Sequence, residues 1–348
     1  MTTSFHPLAT IRSIRSSALH PLTAIRYIRS LIRCPIRYTC LSMPKKKNQP
    51  PPPSPLQVWI MAARPRTLPA SIAPVLLGTA IAWYDGVFQL GPALAALAGG
   101  VLLQIGANLA NDVFDFRKGA DTKERLGPMR VTQAGLLTPQ QVQTGMWVVF
   151  GLAALCGVYL AWVAGWPILV LGAAAIVAAI AYTAGPFPLA YHGLGEVFVI
   201  LFFGLAALCG TYYVQAGTVS ALAWWAAVAI GLLVSSIIVV NNLRDIDTDR
   251  KAGKMTLAVR LGPQGTRYEY LALMLGAYAI PVIVWQLGLA PATVLLTWGT
   301  SLRAVYLTRL LWAVTGRELN SVLAGTSLLA LMYSLLFSIG LIAARLIG

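Results

Sequence analysis

Charge is absent from most of this 348-residue chain, and that absence limits what it can fold into. No Asp, Glu, Lys or Arg occurs from Gly86 to Asn111, Val131 to Gly195, Val197 to Leu243, Tyr270 to Leu302, or Leu319 to Ala344. A membrane span needs roughly 20 apolar residues. With Leu68 to Tyr84 ahead of them, these runs predict about nine spans: 68–85, 90–113, 143–163, 166–184, 195–214, 220–241, 268–286, 288–303 and 321–344. Charged residues are 11% of the chain and mean hydropathy is +0.71, where soluble domains carry about 25% charge. The expected fold is an all-α polytopic membrane protein.

Basic residues orient it. Of 26 Lys and Arg, eleven precede the first span, five lie between Arg117 and Arg130, six between Arg244 and Arg267, and three between Arg303 and Arg317. With nine spans these groups all fall on the N-terminal side, which the positive-inside rule makes cytoplasmic. The C-terminus is then outside, and a bacterial cytoplasmic membrane is the expected location. The net charge of +15 therefore reports topology and the basic leader, not a nucleic-acid partner. Four cysteines (Cys34, Cys40, Cys156, Cys209) have neither metal-ligand nor disulfide spacing.

Residues 1–55 are expected to be a disordered leader ahead of one transmembrane domain, 56–348. His6-Pro-Leu-Ala-Thr-Ile-Arg is nearly repeated at His20-Pro-Leu-Thr-Ala-Ile-Arg. An Arg- and Ser-rich, acid-free leader is transit-peptide-like. The favoured alternative is a non-native segment, with Met43-Pro-Lys-Lys-Lys as a sensible start.

Against this apolar background, six of eleven carboxylates crowd into two stretches. One reads Asn108-Leu-Ala-Asn-Asp112-Val-Phe-Asp115, followed by Asp121; the other reads Asn241-Asn-Leu-Arg-Asp245-Ile-Asp-Thr-Asp249. Helical spacing puts Asn108, Asp112 and Asp115 on one face, and Asn241, Asp245 and Asp249 on another, with Asp247 turned away. Such oxygen sets suit Mg²⁺ completed by phosphate oxygens. Basic residues beside them, including Lys123, Arg130 and Lys254, point to a polyanion whose departing charge they neutralise. A solvated ion-pair rim is the bland alternative, and two copies of one spacing on one membrane face weigh against it. A cation-coupled transporter would place such groups near mid-membrane, and a non-catalytic scaffold leaves the aspartates unexplained.

These residues resemble the UbiA-type intramembrane prenyltransferases. The likeness is carried by Arg64-Pro-Arg-Thr-Leu-Pro69, Asn111-Asp-Val-Phe-Asp-Phe-Arg-Lys-Gly-Ala-Asp121, Tyr182-Thr-Ala-Gly-Pro-Phe-Pro188, Gly193-Leu-Gly-Glu196, and Asn241 to Arg250 with Gly253-Lys254. It covers roughly 57–345 and is greatest for the branch that prenylates 1,4-dihydroxy-2-naphthoate. The resemblance implies a helical bundle around a central cavity. It implies Mg²⁺ on Asn108, Asp112, Asp115, Asn241, Asp245 and Asp249, a polyprenyl diphosphate donor gripped by Lys123, Arg130 and Lys254, and an aromatic acceptor that loses CO₂. Tyr182, with Tyr212 and Tyr213 behind it, would line the cavity. Arg64 or Arg66 would meet the acceptor carboxylate, although an inner-face anchor is the commoner role. His192 would touch the acceptor or shuttle a proton, although an idle loop histidine is the commoner case, and Asp121 would deprotonate the acceptor or hold a second metal. Other aromatic acceptors and a phytyl donor stay open, and no obligate protein partner is implied.

Overall fold

The computed structural model describes residues 53–119, 125–185 and 188–347. The expected leader, apart from its last three residues, and Asp121 and Lys123 lie outside them. Among the described residues every regular element is helical, which suits a lipid environment, since a helix satisfies its own backbone hydrogen bonds. In chain order these are α1 (Pro55–Ala63), a 3₁₀ turn (Pro65–Thr67), α2 (Pro69–Tyr84), α3 (Leu90–Arg117), α4 (Pro139–Ala164) and α5 (Pro167–Ala181). Then come α6 (Gly195–Ala216), α7 (Ala221–Lys251), α8 (Leu257–Gln286), a 3₁₀ segment (Ala292–Thr300) running into α9 (Ser301–Ala313), and α10 (Leu319–Ile347).

A helix stands at each expected position, but the count of nine spans is not reached. Six helices are long and apolar enough to cross a membrane, or seven if α1 and α2, bent by 57° at their junction, form one span. The fourth expected span, 166–184, shortens to the 15 residues of α5. Pro167 fixes its start, and the Tyr182-Thr-Ala-Gly185 turn ends it. The eighth, 288–303, is broken because Gly288 is left-handed (φ +70°) and Pro291 then opens a 3₁₀ segment in place of an α-helix.

α7 and α3 run past their expected ends, and the extensions carry Asp245 and Asp249 in α7 and Asp115 in α3. α7 has 31 residues, about 46 Å at 1.5 Å each, against a hydrocarbon core of about 30 Å. Asn241, twenty residues in, therefore stands near the edge of the apolar layer, and Asp245 and Asp249 stand beyond it. α3 continues similarly to Arg117 and carries Asp115.

Side-chain oxygens start four of the helices. Ser54 and Gln57 form a capping box at α1, and Thr138 and Gln141 form another at α4. Ser220 and Thr256 cap α7 and α8, each supplying an acceptor for an otherwise orphan amide. α7 is the central helix, with 67% of its apolar window buried against 22% for the peripheral α4. It packs on α8, α6 and α10, while α3 lies along α4 and α2 along α10. Small residues let α6 approach α7 closely: a Cβ added to Gly204 would stand 2.6 Å from the Ala227 carbonyl oxygen.

Candidate functional site

The corner between α1 and α2 fixes the first motif. Arg64 takes a left-handed conformation (φ 52°), and its carbonyl accepts from the Thr67 amide and hydroxyl, both at 2.9 Å. Asn108 is buried on α3, and its amide donates to the Ala63 carbonyl and to Thr67 Oγ1, both at 2.9 Å. The Asn108 oxygen is left facing Gln104. The Arg-Pro-Arg-Thr stretch is thus docked directly on the motif.

One turn further, the motif divides its work. Asp112 is 1% exposed and accepts from the Val131 and Thr132 amides at 3.2 and 3.3 Å, clamping the segment after the basic loop. Asn111, not Asp112, lines the large cavity, and its Oδ1 accepts from the Thr183 hydroxyl at 3.1 Å. Arg130 is buried, donates to Asp115 Oδ2 at 2.5 Å, and also bonds the Asn111 carbonyl.

The second motif is organised by its own arginine. Arg244, buried to 4% exposure, forks onto Asp245 at 2.8 and 2.5 Å, Asn241 Oδ1 at 2.8 Å and Asn320 Oδ1 at 2.6 Å. Asn320 in turn donates to the Leu126 carbonyl at 2.9 Å, so α10 links Arg244 to the loop that follows the first motif. Asp249 meets Lys254, with Nζ to Oδ2 at 3.2 Å. Asp247 is exposed, turned away from this set as helical spacing predicts.

The segment 188–192 spans both motifs. Lys118 lies over the Tyr191 ring at 5.1 Å, and the Tyr191 carbonyl accepts from the Met255 amide at 3.0 Å. His192 sits in this strap, its Nδ1 2.9 Å from the Pro188 carbonyl and its own carbonyl held by Arg260. Tyr182, in the turn beyond α5, is the common reference point. Burial, and then the charges of Glu196, Asp249 and Asp115, hold its phenol above the ordinary value, so one hydroxyl feels both motifs.

Behind this polar end lies an apolar cavity of about 590 Å³ between α3, α4, α5 and α6. Asn108, Asn111 and Tyr182 stand at its polar end, Phe198 and Phe202 stack at 6.0 Å on α6, and small residues such as Gly99, Gly172 and Ala206 leave its length open. The Phe198/Phe202 pair was not anticipated, although Phe-x-x-x-Phe spacing after Glu196 is visible in the sequence. Tyr212 stands elsewhere, donating to Asp85 Oδ2 at 2.7 Å at the far end of α2. Tyr213 packs with Leu160 and Ile168. Arg66 is exposed and borders a separate groove with Tyr306, Arg317 and Asn320.

The donor chemistry fits a hard divalent cation: carboxylate and amide oxygens, with no sulfur or imidazole among them. Among the described residues, however, no three Asp, Glu, His or Cys side chains converge on one point. Asp115, Asp245 and Asp249 are each paired with a cation of the protein itself.

These parts make a polytopic helical bundle with an apolar cavity whose polar end carries Asn108 and Asn111 of the first Asn/Asp motif. Residues 71–332 match the UbiA prenyltransferase family, and the chain belongs to that family. It is 40% identical over 283 residues to the 1,4-dihydroxy-2-naphthoate octaprenyltransferase of Mycobacterium tuberculosis, covering 80% of this chain and 94% of that one. It is 36% identical over 297 residues to the Haemophilus influenzae protein of the same name, covering 82% and 96%. Its fold is shared by a UbiA homologue from Aeropyrum pernix (TM-score 0.62, 19% identity, 80% and 97% covered). It is also shared by one from Archaeoglobus fulgidus bound to GPP and Mg²⁺ (TM-score 0.57, 14% identity, 81% and 99% covered).

Proposed function

We propose that the protein transfers a polyprenyl group from polyprenyl diphosphate to 1,4-dihydroxy-2-naphthoate with loss of CO₂, giving demethylmenaquinone. The observation that carries this reading is the long apolar cavity capped by Asn108, Asn111 and Tyr182, with both acidic motifs around that cap. The relatives' shared name selects the acceptor. The cavity takes the isoprenoid tail, which has no favourable place in water.

Asp115, Asp245 and Asp249, with the amide oxygens of Asn108, Asn111 and Asn241, are the oxygens proposed to hold Mg²⁺. Asp112 joins them only by sharing an oxygen already used on the Val131 and Thr132 amides. When bound, the metal offsets charge on the diphosphate leaving group. Arg130, Arg244 and Lys254, freed from their carboxylate partners, bear the rest. Phe198, Phe202 and Tyr182 present ring faces to the allylic cation and keep water from it. Asp121 and Lys123 keep the roles that the motif resemblance gives them, second metal or base and diphosphate contact. The motif-bearing helix ends face the cytoplasm, by the distribution of basic residues, in a bacterial cytoplasmic membrane.

The test is direct. Purified protein with Mg²⁺, a polyprenyl diphosphate and 1,4-dihydroxy-2-naphthoate is expected to release CO₂ and a naphthoquinol, and EDTA to stop it. Turnover of 4-hydroxybenzoate but not of the naphthoate would overturn the acceptor assignment.

A further inference from the structure

Glu196 opens α6 in a position that the prenyl-transfer scheme leaves unexplained. It is 6% exposed, and the neutral amide of Asn242 donates to its Oε1 at 2.8 Å. Its Oε2 is buried and has no hydrogen-bond partner, and among the described residues no Lys or Arg pairs with it. An intramembrane carboxylate in that condition is costly, and such groups are kept where a ligand uses them. Three residues on, and so on the same helix face, Val199 lines the apolar cavity. One residue earlier, a Cβ on Gly195 would stand 3.2 Å from the hydroxyl of Tyr182, another cavity-lining group. Asn242, which fixes Oε1, adjoins Asn241 of the second motif. Glu196 is therefore buried behind the cavity wall, between the Tyr182 end of the cavity and the second acidic motif.

We propose that Glu196 Oε2 accepts the ring hydroxyl of the acceptor and takes its proton during prenyl transfer. The inference rests on the naphthalenediol reading above. The O–H electron pair stays on the ring oxygen and raises electron density at the carbon bearing the carboxylate. That carbon forms the new bond to the prenyl C1 as the C1–O bond breaks, its pair leaving with the diphosphate. The ring–carboxylate bond then breaks, CO₂ departs, and its bonding pair restores aromaticity. Because CO₂ leaves the ring in place of a proton, Glu196 returns its borrowed proton to the ring oxygen and ends unchanged. Asn242 serves as a positioning residue that holds Oε1 and so aims Oε2.

Glu196→Gln keeps an oxygen for Asn242 and the side-chain volume but cannot take a proton. Its kcat is expected to fall about 100-fold or more, the scale of a general base, with the KM for prenyl diphosphate unchanged. The deficit is expected to shrink across ring-substituted naphthoates whose hydroxyls are progressively more acidic. Wild-type kinetics in the variant, or a deficit independent of hydroxyl acidity, overturns the proposal. Infrared difference spectra of the wild-type protein supply a second measurement should the variant not fold. A new protonated-carboxyl band is expected to appear on adding acceptor, and the absence of any new band overturns the assignment. Wild-type protein inactive on the naphthoate would sink the acceptor reading itself, whereas an active wild type with a normal variant sinks only the role of Glu196.

Discussion

Replacing Arg244 by Met removes the side chain that ties Asn241 and Asp245 of the second motif to Asn320. Arg244 donates four hydrogen bonds, two to Asp245 and one each to Asn241 and Asn320. Its side chain is 1% exposed and that of Asp245 is 17%. Breaking a fully buried ion pair from one side costs about 3–5 kcal/mol, chiefly because the surviving charge is stranded. Residual water at Asp245 reduces that, so the low end, about 3 kcal/mol, is expected. For a domain of this size each kcal/mol shifts the melting temperature by about 2–4 °C, so Arg244→Met should melt about 6–12 °C lower in detergent. Asp245→Asn placed in the Arg244→Met background should recover part of that loss, about 1–2 kcal/mol, since it removes the stranded charge. Thermal unfolding of the wild type, both single variants and the double variant measures the coupling. A melting temperature for Arg244→Met within 2 °C of wild type, or no recovery in the double variant, would refute this account of the motif (both limits set by the per-kcal shift above).

Asp112→Asn replaces a carboxylate that accepts two backbone amides by a group with one oxygen. It should cost about 1–2 kcal/mol and abolish turnover together with loop order, and a protease-accessibility assay on residues 125–135 would register the loosening. Gly204→Leu should prevent stable folding, because even a Cβ there meets the Ala227 carbonyl oxygen at 2.6 Å. Gly204→Ala should be milder, and size-exclusion profiles separate the two. Gly172→Phe projects into open space along the cavity. It should lower kcat/KM for long polyprenyl diphosphates while sparing a ten-carbon donor, and equal losses for both lengths would show that the tail lies elsewhere.

The apolar runs located the long helices but not α1 (Pro55–Ala63) or most of α9 (Ser301–Ala313), because burying a backbone in lipid leaves little choice of structure only where the run is long. What they did not disclose was where helices would be interrupted. Gly288 and Pro291 divert the eighth segment into a 3₁₀ coil, and Pro167 with Gly185 confines the fourth. The two motifs were legible as acidic clusters sharing helix faces, but their division of labour was not. Asn108, Asn111, Asp112 and Asp115 all fall within about 100° of the α3 circumference, and spacing cannot say which flank a later loop will cover. The 130–132 segment covers the Asp112 side, leaving Asn111 to the cavity. Arg244, in sequence only the first of six basic residues that end at Arg267, is the buried hub. Thr67, the link from the corner at Arg64 to Asn108, gives no signal of its own beyond its place in Arg-Pro-Arg-Thr. Tyr212 and Tyr213 were chosen for chemistry alone, and helix register turned both elsewhere.

The ion pairs Asp115–Arg130, Asp245–Arg244 and Asp249–Lys254 make the site electrically self-contained. Each carboxylate already has a counter-charge supplied by the chain, so the bundle can assemble in a cell where free divalent metal is scarce. A lone cation approaching this site competes with three resident ones and gains little. A cation that arrives with a diphosphate brings anions for the displaced Arg and Lys as well as a charge for the Asp. Under the proposed function, the pairing therefore favours loading the metal and the donor as one unit, and it lets the site reset to neutrality when that unit departs.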